Sequence, residues 1–213
     1  ALLLMLSILQ FGLVYMAKLT LNNATFLAAR RGAVVNADVG AIESSLTKGL
    51  IPFYVNVSGG RPDAAGMAAA QVRAEVDRRL FATVDLISPS RQAFDGFGLM
   101  RNGKTVIPND NIEYRLASSS NTRAGPNGST ISIREANLLK IKVTYGYELK
   151  VPLIRTVIRK VMCLGILGTG AVDAWKANNL LGFDVGNCLR YYSLGRIPLV
   201  AYATVHMQSD AIQ

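Results

Sequence analysis

The first seventeen residues, ALLLMLSILQFGLVYMA, carry no charge, and only Ser7 and Gln10 interrupt their apolar character. Nothing then stops a helix that has started there. No Pro or Gly falls between Leu13 and Gly32, and no acidic residue precedes Asp38. At 1.5 Å per residue the uncharged run spans about 25 Å, just short of a ~30 Å hydrocarbon core. A signal peptide would begin with positive charge and end at a cleavage site, and neither is present. A buried core helix is the second reading. The third, which we expect, is the later half of a membrane span whose first residues precede Ala1.

The helical pattern continues past Lys18. Ala17, Leu21, Ala24, Ala28 and Gly32 recur at spacings of four, three, four and four, which sets small side chains along one face. Small residues allow the close approach by which helices associate in lipid. The same stripe also suits an Ala-rich helix packed on its own domain. Arg30 and Arg31 fall near the expected C-terminal end, where positive charge complements the helix dipole. A rod over residues 1–33 would be roughly 50 Å long. The expected organisation is therefore an N-terminal transmembrane and packing helix over 1–36 and a globular α+β head over 37–213.

The formal net charge of +9 is unevenly placed: +3 over residues 1–36, −1 over 37–100 and +7 over 101–213. No block of five like charges appears, so the clustered basic stripe of a nucleic-acid binder is missing and no nucleic-acid partner is expected. Anionic headgroups or an acidic partner fit better beside an apolar N-terminus.

In the head, Asp38 is placed to cap a helix over 40–48, with Gly49 as its terminal glycine. The turn cluster SGGRPD (58–63) precedes a helix over 62–81, with Met67, Ala69, Val72, Val76 and Leu80 as its expected core face. TVDLIS (83–88) reads as a strand, 89–112 as loop, 111–117 as a weak strand and 118–129 as an exposed loop. LLKIKVTYGYEL (138–149) alternates cleanly, with Leu139, Ile141, Val143, Tyr145 and Tyr147 inward. Pro152 opens a basic amphipathic helix. Its stripe Ile154, Val157, Ile158 and Val161 is expected to face the core, with Arg155, Arg159 and Lys160 solvated; a basic amphipathic helix resting on a membrane surface is the alternative. Residues 163–195 read as a loop anchored by Trp175 and Phe183. A final strand over 197–208 carries Pro198, which suits an edge.

Three stretches resemble the TadE-like pilins of bacterial tight-adherence (Tad) systems, relatives of the type IV pilins. These are QFGLVYMAKLTLNNATFLAARRGAV (10–34), ANLLKIKVTYGYELKVPL (136–153) and RIPLVAYATVHMQSDA (196–211). The resemblance implies a type IV pilin-like α+β fold, a long apolar helix packed on an antiparallel sheet. It also implies a bacterial inner-membrane stage with a periplasmic head, and then an extracellular filament. The implied partners are identical or related pilin subunits and the pilus assembly machinery. The glutamate that this family carries five residues into the mature chain has no counterpart here, since position 5 is Met5. In relatives it would lie upstream of the aligned stretch. Prepilin-peptidase maturation is implied by the resemblance alone.

Catalytic chemistry finds little support. His206 is the one histidine in the chain, which removes multi-histidine metal sites, and it lies within the closing strand. GILGTG (165–170) lacks the order of a dinucleotide fingerprint. Asp95, Asp110 and Glu113 match no calcium-loop spacing, and no cofactor or metal is expected. The N-x-[ST] triplets at Asn23, Asn56 and Asn127 read as chance. Outside the cytosol Cys163 and Cys188 would be expected to pair, closing a loop of about 25 residues worth ~3 kcal/mol on the chain-entropy account; two buried thiols are the alternative.

The expected function is thus a non-enzymatic, filament-forming subunit, used in adhesion or surface attachment. Phe11, Ala17, Leu21, Ala24, Ala28 and Gly32 are its expected helix-packing interface. The alternative is a stationary, membrane-anchored periplasmic binding or assembly-platform component.

Overall fold

The computed structural model describes residues 1–55, 63–110, 112, 122–124, 129–163 and 190–213. A single helix, α1, runs without interruption from Leu2 to Val34. The uncharged run and the small-residue segment are therefore one rod, as the absence of breakers predicts. Its last turn leaves carbonyls without intrahelical donors, and the closing segment of the chain fills them. Gln208 and Ser209 donate their backbone N–H groups to the Ala33 carbonyl at 2.9 and 3.2 Å, and Ser209 Oγ donates to it at 3.1 Å. Asn36 and Ala37 then take left-handed backbone angles, φ 53° and 59°. Ala37 N–H reaches back to Gly32 O at 2.9 Å, and the Asn36 side chain donates to Asp210 O at 2.7 Å.

The helix α2 (Val39–Leu50) follows at once, capped by Asp38, whose carboxylate accepts from Ala41 N–H at 2.7 Å. A short 3-10 turn carries Pro52. Next come α3 (Ala64–Phe81) and β1 (Ala82–Ser88), which ends at a cis Ser88–Pro89 bond. The central strand β6 (Leu138–Glu148) lies between β1 and β7 (Arg196–His206). Leu149 N–H donates to Gly195 O at one end of the β6–β7 pair, and Met207 N–H to Asn137 O at the other, which makes the pairing antiparallel. Pro198 sits on the edge strand β7, as its missing N–H requires. Leu139, Ile141, Val143, Tyr145 and Tyr147 are all buried on one face of β6.

Residues 89–112 are not the loop expected from the sequence. They hold α4 (Arg91–Phe97), β2 (Leu99–Arg101) and β3 (Lys104–Ile107). The β2–β3 hairpin turns on Asn102–Gly103 at φ 51° and 75°, the positive pair that a two-residue primed turn demands. β8 (Ala211–Ile212) adds to β3 as a third antiparallel strand. Within the expected 118–129 loop, β4 (Thr122–Ala124) pairs with β5 (Thr130–Ser132), which leads into α5 (Ile133–Ala136). α6 (Pro152–Cys163) closes the helical set. The molecule is α+β, with a long apolar N-terminal helix and antiparallel sheets. All of the expected strand 111–117 but residue 112, which is in a 3-10 turn, lies outside the described residues, as do most of the 163–195 loop, including Trp175 and Phe183, and the side chains of Arg159, Lys160 and Val161.

By packing, the chain divides into two compact units. The first holds residues 1–19, 77–83 and 144–200; the second holds 20–76, 84–143 and 201–213. α1, α3, β1, β6 and β7 each contribute residues to both. The division expected at residue 36 separates oil from water, whereas these units are separated by packing.

In the second unit, small residues let helices approach. Gly49 is not the terminal glycine expected of it; it lies inside α2, against α1. A methyl group there would sit 2.5 Å from Ala24 Cβ and 2.7 Å from Ala24 Cα. Gly32 likewise faces Ile42 and Leu139. In the first unit, Asp77 of α3 is the pin. Its carboxylate takes two hydrogen bonds from Arg196, at 2.8 and 2.7 Å, and one from Tyr145 Oη at 2.9 Å. The Arg196 guanidinium also lies over the Phe81 ring, 3.7 Å from its centre.

Two substitutions test this packing. Gly49→Ala improves intrinsic helix propensity by about 1 kcal/mol. The new methyl meets helix backbone, so the net effect expected in chemical denaturation is a loss of roughly 1–3 kcal/mol. Asp77→Ala leaves a largely buried guanidinium without its carboxylate and is expected to cost roughly 3–5 kcal/mol.

Candidate functional site

α1 presents two faces of different chemistry. Gln10, Ala17, Leu21, Ala24, Thr25 and Ala28 are buried. Apart from Gln10 and Thr25 they are apolar, and Leu21 is the one large member. On the other side Leu4, Ile8, Phe11, Tyr15, Leu19 and Phe26 stand in the open, with Phe11 73% and Tyr15 64% exposed. Residues 2–5 are exposed all round. The helix is long and apolar enough to cross a membrane, and only 11% of its most apolar 18-residue window is buried in the molecule. A core helix of a water-soluble domain would be mostly covered, so that reading of the run is set aside.

The small-residue stripe expected to meet a neighbouring helix is filled from within the chain. Ala24 is seated on Gly49, and Gly32 on Ile42 and Leu139; Ala17, Leu21 and Ala28 have essentially no exposed surface. The physical reason is the same close approach that suggested the stripe: a glycine on α2 and a leucine on β6 use it first. Of the six expected interface residues, Phe11 alone faces outward. The outward face recurs at 4, 8, 11, 15, 19 and 26, a helical spacing present in the sequence. Large apolar residues surround the helix there, so the sequence shows almost no contrast between faces.

Two polar side chains fasten the apolar half of the rod within the first unit. Gln10 Oε1 accepts from Val151 N–H at 2.9 Å, and Lys18 Nζ donates to the Val200 carbonyl. Both ties go to backbone groups, so no particular partner side chain signals them in the sequence.

The basic corner beside Gln10 is ordered by hydrogen bonds. Arg155 donates from Nε and Nη2 to Leu149 O at 3.1 and 2.7 Å, and from Nη2 to Glu148 Oε1 at 3.1 Å. Arg155 was expected in solvent; the carbonyl at the end of β6 turns it inward instead. Glu148 also accepts from Lys150 at 3.0 Å. The Lys150 hydrogen bond, with further attraction from Lys150, Arg155 and Arg196, outweighs desolvation and holds Glu148 below its ordinary 4.5. That contribution to stability is present above the unfolded value and is lost as pH falls through the folded one. Burial, with the Glu148 charge second, raises the Tyr147 phenol.

α3 departs from expectation as well. Ala70 and Ala74 are its buried positions, while Met67, Ala69, Val72, Val76 and Leu80 are exposed. Two alanines permit a closer approach than the branched stripe would, and Thr47 of α2 donates to Glu75 at 2.7 Å from that side.

His206 is exposed at the end of β7, and Asp95 and Asp110 are exposed on the surface. Among the described residues no three His, Cys, Asp or Glu side chains cluster as metal ligands. Asn23 is exposed on α1. Glu113, Asn56, Asn127, residues 165–170, Cys188 and the side chain of Cys163 lie outside the described residues. A groove of about 620 Å³ in the second unit is lined by Asp38, Leu86, Pro89, Ser90, Arg91 and Phe94, among others.

Removal of residues 1–9 strips no buried side chain and is expected to leave the head folded. Removal of residues 1–33 takes away Leu21, Ala24, Ala28 and the Ala33 carbonyl cap. The remainder is expected to lose its cooperative thermal transition in circular dichroism. No family model, curated protein or solved structure matches this chain.

Proposed function

We propose that the chain is a non-enzymatic, TadE-like pilin subunit. It is held by α1 in the bacterial inner membrane, with a periplasmic head, and passes from there into an extracellular filament built from identical or related subunits. The observation that carries this reading is the rod with one end seated in the head and the other left bare. Ten large apolar residues between Leu2 and Leu19 are substantially exposed. Full burial of one such side chain is worth about 1.5–3 kcal/mol. Even at half coverage their sum approaches the 5–15 kcal/mol that holds a typical domain together. A surface of that cost needs a cover, and lipid and neighbouring rods both supply it. Repeated head-to-tail use of the same surfaces generates an open helical polymer. Adhesion or surface attachment is the role the Tad resemblance implies.

Because the small-residue stripe is used internally, the intermolecular contact in this reading is the outward face, Phe11, Tyr15 and Leu19. The groove at Asp38 and Arg91 favours a second reading, a stationary membrane-anchored periplasmic component that binds a ligand or supports assembly without polymerising.

Triple replacement of Phe11, Tyr15 and Leu19 by Ala separates the two. The filament reading expects the variant to float with membranes and keep its melting transition while filaments disappear from electron micrographs. Ala24→Leu with Ala28→Leu is the contrast. It overpacks the head at roughly 1–3 kcal/mol per site, so it should lower the melting temperature before any assembly is scored. Filaments that persist through the triple replacement, or their absence from cells making the native chain with its assembly machinery, would refute the filament reading.

A further inference from the structure

The sequence of α6, PLIRTVIRKVMC, suggests an apolar stripe turned to the core, but the structure leaves part of it uncovered. Ile154 is buried, whereas Leu153 and Val157, one turn apart, are 51% and 50% exposed. The helix is also held in a particular place. Val151 N–H, one residue before it, is bound to Gln10 Oε1, and Arg155 is bound to Leu149 O. Leu149 N–H is bound in turn to Gly195 O at 3.1 Å. Gln10 lies in the middle of the uncharged run, eight residues or about 12 Å along the rod from Lys18. The start of α6 therefore stands beside the apolar run, not beyond its end. A bilayer that holds the run meets this corner.

The charge of the corner matches such a surface. Residues 148–172 hold Lys150, Arg155, Arg159 and Lys160 against the single acid Glu148, which pairs with Lys150 and Arg155. Over the segments of the first unit, ten Lys and Arg stand against four Asp and Glu, so most of the chain's +9 lies in the unit that carries the bare helix. Basic amphipathic helices with a modest apolar face lie in the headgroup region and bind anionic lipid through both.

We infer that the exposed face of α6 docks on the anionic headgroups of the bilayer that receives α1. Leu153 and Val157 enter the acyl boundary, and the positive charge that Arg159 and Lys160 bring to the helix meets lipid phosphates. This rests on the membrane insertion proposed above and adds a second contact, which fixes how the head sits on the bilayer before assembly.

The test uses the full chain carrying Val157→Trp and Trp175→Phe, reconstituted into vesicles of phosphatidylcholine alone or mixed with phosphatidylglycerol. Each preparation includes lipid brominated near the glycerol end of the acyl chain, and flotation verifies insertion. The introduced tryptophan is expected to be quenched in the anionic vesicles and much less in the neutral ones. Arg159→Gln with Lys160→Gln should lower the docking equilibrium about 30-fold, the equivalent of about 1 kcal/mol for each basic residue. Protein that floats but shows no quenching in anionic vesicles overturns the inference and leaves membrane insertion standing. Equal quenching in both vesicle types, unmoved by the double substitution, overturns the anionic-headgroup contact. Failure to float overturns the membrane reading and this inference with it.

Discussion

Everything in this molecule answers to one constraint: α1 is a single uninterrupted helix whose two long faces carry side chains of different size. The small face admits backbone at close range. Gly49 of α2 shows how close, since a methyl group there would sit 2.7 Å from Ala24 Cα. The large face cannot pack that tightly and is left outside. The rod is thus asymmetric about its own axis before any partner arrives, and the head is built on the side where approach is easiest.

The ends of the chain cooperate in holding that arrangement. The carbonyl of Ala33, open at the end of the helix, is taken by the N–H groups of Gln208 and Ser209, close to the C-terminus. Segments near the two ends of the chain's fold, the close of α1 and residues 208–209, meet here through backbone hydrogen bonds. A polar closing segment beside a helix terminus thereby acquires a physical reason: it supplies the donors that the last turn lacks. Asn36 helps because asparagine tolerates the left-handed angle better than most residues and its amide reaches Asp210 O.

What the sequence disclosed depended on contrast. β6 alternates without ambiguity, and its five inward residues are those the pattern names. α1 was legible as one rod from its lack of breakers, and Asp38 as a cap from its chemistry. The β2–β3 hairpin was missed although Asn102–Gly103 is a strong turn signal, because strands of three and four residues give periodicity almost nothing to act on. α3 was read on the wrong face because alanine scores weakly as an apolar residue, yet Ala70 and Ala74 are what tight helix contact selects. Five of the six residues expected at a helix-packing interface are buried within the chain, and Phe11 is exposed. Small residues mark a close contact without saying whether the contact lies within the chain or between chains.

That last ambiguity bears on how such a rod would leave a membrane. Apolar burial hardly distinguishes lipid from a bundle of similar helices, since hydrocarbon tails are as apolar as leucine. In the filament reading proposed above, transfer would be decided by smaller terms: the fit of Phe11, Tyr15 and Leu19 against a neighbour, and the polar contacts that hold the head at the bilayer. Gln10 and Lys18 lie on the same rod. Gln10 Oε1 is tied to Val151 N–H and Lys18 Nζ to the Val200 carbonyl, whereas the buried Gln10 Nε2 finds no acceptor among the described residues. In that reading, the buried amide costs the same in lipid and in a bundle of helices, about 1–3 kcal/mol, so it does not shift the balance between them.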